Sequence, residues 1–204
     1  DGGPTWTRRS KISRVRLRRA TRADIPEIER VMRESIIGIS SRTYDAAQVA
    51  SSLKYVAHLD RELVDDGTYF LVEHVFGGAS EIVACGGWSR RARLYAGSGS
   101  REGDAALLDP ATDAARVRAM FVVPRAERRG IGRMILEACE HEAAASGFRR
   151  VELMAMLSGH AMYRACGYRD VEEVAAALED GTPFPLTRME KSLGASPVAS
   201  PSRA

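Results

Sequence analysis

The sequence predicts an α/β fold, a sandwich of helices around one mixed sheet. Three observations carry this reading. Runs of period-two alternation interleave with runs of helical spacing. A strand, a glycine turn and a helix follow one another without interruption between Arg116 and Gly147. A helix pair stands between the first strand and a central hairpin. The 204 residues suit one domain with tails better than two domains.

The elements are read in chain order. Val15, Leu17 and the arginines between them alternate as in an edge or half-buried strand, and Thr21 with Asp24 offers a capping-box start for the first helix. Ile28, Val31, Met32, Ser35 and Ile36 form its apolar stripe, and a less regular helix is expected from about Asp45 to Leu59. Tyr69 to Val75 and Glu81 to Trp88 read as strands joined through Gly77 and Gly78. Periodicity then disappears from Ser89 to Ala114, where Gly97, Gly99, Gly103 and Pro110 mark an insertion loop. Arg116 to Val123 is a strand ended by Pro124, and Ile131, Met134, Ile135 and Ala138 stripe a helix that stops near Gly147. A strand over Arg150 to Met156, a short helix from His160 to Cys166, and strands near Tyr168–Ala175 and Phe184–Glu190 complete the fold. This gives about six to seven strands and about four helices. The domain is expected over 14–191, with a basic tail over 1–13 and a Ser-, Ala- and Pro-rich disordered tail over 192–204.

Composition narrows the function classes. Hydrophobic residues make up 45% and charged residues 28%, and no apolar run reaches the roughly 20 residues that span a bilayer, so a soluble protein without a membrane partner is expected. Cys85, Cys139 and Cys166 are odd in number and far apart, which indicates neither a disulfide framework nor a metal site. With no secretory signal in view, a cytoplasmic location is expected. A net charge of +3 does not imply nucleic acid. Arg8, Arg9, Lys11, Arg14, Arg16, Arg18 and Arg19 crowd the start without interleaved aromatics, so they read as a solvated tail entering a strand.

The segment VVPRAERRGIGRMIL places Gly130 and Gly132 where a strand gives way to a helix. Glycine there allows close backbone approach, and the unpaired amides of the first helical turn attract an anion, helped by Arg125, Arg128, Arg129 and Arg133. No Lys-Ser/Thr pair follows, so the Walker pattern is absent, and Ile135 stands where a dinucleotide fold would want a third glycine. By itself the turn reads equally well as a solvated, arginine-rich chain reversal.

Two motifs together resemble the GNAT acetyltransferase superfamily over about Val15 to Lys191. The family's Q/R-x-x-G-x-G/A pyrophosphate loop corresponds to Glu127–Gly132, with Glu127 in place of Gln or Arg. A tyrosine shortly before a Gly-Phe/Tyr pair corresponds to Tyr163, Gly167 and Tyr168, with Met156 and Ser158 where an asparagine is common. The resemblance implies a mostly antiparallel sheet and an acetyl-CoA-dependent N-acetyltransferase that needs no metal and forms no covalent acyl-enzyme. It implies that main-chain groups of Phe121 and Val122 hold the pantetheine arm. Arg128, Arg129, Gly130, Ile131, Gly132 and Arg133 would hold the pyrophosphate, and Tyr163 would be the proton donor to the departing thiolate.

The general base is open among Glu73, His74, His160 and a water relay. Cys85 and Cys166 lack an adjacent His and read as packing residues. Trp88, Arg90 and Tyr95, with Arg91 and Arg93, are candidates to line an acceptor site for an acidic or planar amine. The acceptor is a small molecule or peptide, and the protein a monomer or homodimer. A non-catalytic acyl-CoA sensor is the alternative.

Overall fold

The computed structural model describes residues 14–76, 79–94 and 105–194. The 1–13 tail, the Gly77–Gly78 turn, Tyr95 and the chain from 195 lie outside the described residues. The alternating start becomes strand β1 (Arg14–Arg19), and helix α1 (Ile25–Gly38) buries all five positions of its predicted stripe: Ile28, Val31, Met32, Ser35 and Ile36. The predicted cap is present. Thr21 N donates to the Asp24 carboxylate at 2.8 Å and opens a single 3-10 turn that leads into α1.

The predicted second helix is shorter than expected, and a further one follows. Helix α2 (Ala46–Tyr55) starts at Asp45, whose side chain accepts from Gln48 N at 2.8 Å. After a break, Asp60 caps α3 (Arg61–Asp65), which the irregular spacing of this stretch does not announce. The hairpin follows as β2 (Tyr69–Phe76) and β3 (Ala79–Ser89). The insertion is closed at its base, where Arg91 bridges Leu107 and Leu108 N donates to Arg90 O at 2.8 Å. Strand β4 (Ala115–Val122), helix α4 (Ile131–Ala145), strand β5 (Arg150–Met156), helix α5 (His160–Ala165) and strands β6 (Arg169–Ala177) and β7 (Pro183–Ser192) complete the chain. Strand β7 runs through Ser192, and Leu193 N donates to Arg149 O at 2.8 Å.

The strands form one sheet in the order β1-β2-β3-β4-β5-β7-β6, antiparallel everywhere except between β4 and β5. The main core joins α1 and α4 to the central strands, and Ile28, Leu71, Ile135 and Leu153 are among its fully buried side chains. Burial of such side chains is the main term holding the layers together, at roughly 25 cal/mol per Å² of apolar surface. A second cluster around Tyr44, Phe184 and Leu186 closes the β7 end, with Tyr44 stacked on Phe184 at 4.4 Å.

Candidate functional site

Strands β4 and β5 pair at only two positions, Ala115 with Val151 and Arg116 with Glu152. Beyond Arg116 each strand stays with its other neighbour, β4 with β3 and β5 with β7, so the sheet opens between them. The cause is local. Between the pairs Cys85–Phe121 and Gly87–Arg118, one residue of β3 faces two of β4, and Ala119 sits in the left-handed region at φ 52°. Its carbonyl accepts from the Tyr69 hydroxyl at 2.7 Å, which holds the bulge in place. Gly86 completes the arrangement, because a Cβ there would lie 2.2 Å from the Met120 sulfur. A cavity of about 110 Å³ fills the gap. Arg118, Met120 and Phe121 line it from β4, Leu153 and Met156 from β5, Ser35 and Ser40 from the α1 end, and His58 and Asp60 from the link before α3.

Tyr163 reaches this cavity from α5. Gly159 admits the ring, since a Cβ at that position would come within 3.1 Å of it. The ring is 8% exposed and meets Tyr168 edge-on at 5.8 Å. Among the described residues no group accepts a hydrogen bond from its hydroxyl. Burial pushes the phenol well above the ordinary tyrosine range, so it keeps its proton and remains a donor at neutral and moderately alkaline pH.

The glycine turn lies at the same end of β4. After a 3-10 turn (Pro124–Ala126), Arg128 and Gly130 adopt φ of 59° and 76° and turn the chain into α4. The first intrahelical bond runs from Met134 N to Gly130 O at 3.0 Å, which leaves the amides of Ile131, Gly132 and Arg133 without helical acceptors. Arg128 and Arg129 are exposed and make no ion pair or hydrogen bond among the described residues. Arg125, by contrast, is committed to Glu34 and Glu81, and Glu127 to Arg42. The two glycines do different work. Gly130 has open space where a Cβ would be and is required by its backbone angle, whereas a Cβ on the buried Gly132 would lie 2.8 Å from the Met162 sulfur of α5. Arg133 is exposed and donates to Ala165 O at 3.3 Å, a second link between α4 and α5. Phe121 lines the cavity, while half-buried Val122 stands beside Gly132.

Most of the other sequence-based candidates lie away from this cavity. Trp88 is 1% exposed; its indole N–H donates to Glu142 at 3.1 Å and its ring meets Phe148 edge-on, so it is a core residue on the α4 face. Arg90 lies over the Trp88 ring rather than at the cavity, and Tyr95 falls outside the described residues. Among the candidate bases, Glu73 is held by Arg18, and His160 by Asp170 at 2.9 Å. Neither these two nor His74 lines the cavity. Cys85 is fully buried with its thiol pushed up to about 12 by burial, so it is no nucleophile. The cavity residues missed in the sequence are Arg118, His58 and Asp60. Asp60 had a readable signal, an acidic cap before Arg61, Glu62 and Leu63.

Comparison with known proteins bears on the family and the fold. The sequence model of the acetyltransferase (GNAT) family matches residues 34–168. No curated protein matches the chain. A GCN5-related N-acetyltransferase structure from Rhodopseudomonas palustris aligns with TM-score 0.63 at 19% identity, covering 87% of this chain and 95% of that one. PaiA N-acetyltransferase from Thermoplasma acidophilum, solved with coenzyme A, aligns with TM-score 0.56 at 14% identity over 88% and 99% of the two chains. The ribosomal-protein-S18-alanine N-acetyltransferase of Escherichia coli aligns with TM-score 0.55 at 13% identity over 91% and 98%. At these identities the likeness establishes a shared fold.

Proposed function

The chain belongs to the GNAT acetyltransferase family, and from that premise we propose that it transfers an acetyl group from acetyl-CoA directly to the amine of a small molecule or peptide. The observation that carries this reading is Tyr163, which lines the cavity opened by the β4 bulge and whose hydroxyl has no partner among the described residues. A donor that faces a cavity with no partner among the described residues is free to bond a ligand placed there.

The residues fit acetyl-CoA. Arg128 and Arg129, unpaired among the described residues, and the amides of Ile131, Gly132 and Arg133 would form a positive cradle for the pyrophosphate. The β5-facing edge of β4 at Phe121 and Val122 has no strand partner and offers main-chain groups to an extended ligand arm. When bound, acetyl-CoA supplies a thioester carbon open to attack by a neutral amine, with the thiolate as leaving group. Tyr163 then donates its proton, or a hydrogen bond, to the departing sulfur. The acceptor amine loses a proton through the polar wall of Ser35, Ser40 and His58 or through water between them. No covalent acyl-enzyme is required, and neither buried cysteine is placed to form one. The three free thiols suit a reducing cytoplasm.

The test is free-thiol release from acetyl-CoA across a panel of amines and peptides, beside CoA-dependent thermal stabilisation. Release above blank, with a melting shift reduced in Arg128→Gln and Arg129→Gln, is expected. A melting shift without release for any acceptor would instead identify an acyl-CoA-binding module.

A further inference from the structure

The least explained group in the cavity is Arg118. Its side chain is 4% exposed, and its cross-strand neighbour is Gly87, so it reaches across the sheet face to the link before α3. There Nη2 donates to Asp60 Oδ2 at 3.0 Å, its single protein hydrogen bond among the described residues. Asp60 is already shared: the same Oδ2 accepts from Arg93 at 3.1 Å, and Oδ1 accepts from Glu62 N at 3.1 Å as the cap of α3. Since Asp60 takes one hydrogen of one nitrogen, Arg118 keeps one complete pair of parallel N–H donors. A planar fork of two donors matches a carboxylate in bidentate geometry. A guanidinium on a side chain this little exposed favours a charged partner strongly, because bulk water screens the pair weakly. Ser35, Ser40 and His58 add polar groups to the cavity lining, and Phe121 and Leu153 add apolar ones.

We infer that the acceptor is a small amino acid or related amino-carboxylate, with its carboxylate held by Arg118 and its amine directed toward the gap beside Tyr163. This rests on the acetyltransferase reading and narrows its acceptor. Asp60 is a positioning residue, because it fixes the guanidinium plane from the side away from the ligand.

The experiment compares initial rates of thiol release from acetyl-CoA for free amino acids and for the matching amino-acid carboxamides. The carboxamide has the less basic amine, so at equal pH any bias runs against the expected result. The free acids should be favoured by at least about tenfold in kcat/KM, as expected for one charge-assisted pair. That preference should fall to within about twofold in Arg118→Gln, and Arg118→Lys should restore part of it. Equal rates for acids and carboxamides in the wild type would overturn the inference, as would a preference that survives in a folded Arg118→Gln protein. A second readout needs no variant: the melting shift of the CoA-saturated wild-type protein with added acid or carboxamide. A larger shift with the acids supports the site, and equal shifts overturn it. Absence of thiol release from every amine would sink the acetyltransferase reading alone, since the melting comparison still judges the carboxylate site.

Discussion

Replacing Tyr163 with phenylalanine separates catalysis from packing because the ring and the hydroxyl have different surroundings. The ring is buried against Tyr168 and above Gly159, and phenylalanine keeps those contacts. The hydroxyl makes no protein hydrogen bond among the described residues, so its removal breaks none. Stability should therefore change by less than about 1 kcal/mol, or a few degrees in melting temperature at this chain length. If the hydroxyl stabilises the departing thiolate, turnover falls by roughly ten- to a thousandfold, which corresponds to about 1.4–4 kcal/mol in the transition state. The assay is single-turnover thiol release with saturating acetyl-CoA and acceptor, so that chemistry limits the rate, alongside a CoA melting shift that should be preserved. Burial also keeps the phenol protonated well past its ordinary range. The alkaline limb of the wild-type pH profile should therefore not report its ionisation. Unchanged turnover in Tyr163→Phe, with chemistry limiting, would remove this residue from the mechanism.

Gly130→Val forces a β-branched residue into φ 76° and should lower stability by about 1–2 kcal/mol while abolishing the CoA melting shift. Gly132→Val should instead push Met162 aside and disturb the α4–α5 contact, which is checked by a loss of stability even without CoA. Trp88→Ala should destabilise by about 3–5 kcal/mol in denaturant titration, as for other buried aromatics, while leaving the acceptor KM of the folded fraction unchanged. The Arg18 guanidinium, bonded to Asp24 at 2.7 and 2.9 Å, holds that carboxyl well below its usual range. This stabilisation is present above the ordinary aspartate pKa and is lost as pH falls through and below it. Asp24→Asn should accordingly flatten the acid side of the stability profile measured by chemical denaturation.

Much of the fold was legible because it rests on local periodicity. The α1 stripe from Ile28 to Ile36, the Thr21–Asp24 cap and the Gly147 helix stop each involve residues a few positions apart, whose spacing alone fixes which face is buried. Candidate site residues could be named in the sequence only where their motifs are contiguous, as at Arg128–Arg133 and Tyr163–Tyr168. Trp88 was misplaced because an aromatic beside arginines looks the same in sequence whether its partner is a ligand or Glu142, 54 residues away. Arg118 was overlooked for the same reason in reverse. A strand arginine ordinarily faces solvent, and only the bulge at Ala119 and the arrival of Asp60 from 58 residues earlier turn it into a cavity wall. No pattern of residue types announces an alanine at positive φ.

The two-pair junction between β4 and β5 has a consequence for how the molecule breathes. Hydrogen-bond ladders are what make a sheet unfold as one unit, and here the ladder is nearly severed in the middle. β1–β4 and β5–β7 remain coupled by the Arg116–Glu152 pair at one end of the gap, while Tyr44, from the link between α1 and α2, joins the end of β5 to β7, its hydroxyl accepting from Leu157 N at 3.0 Å and donating to Pro185 O at 2.8 Å. The expected consequence is that the two halves of the sheet differ in amide-exchange protection, although one core packs against both. A ligand bonded to both lips of the gap would act as the missing rungs. Its binding energy would then appear partly as a merging of the two exchange regimes into one, far from any atom it touches.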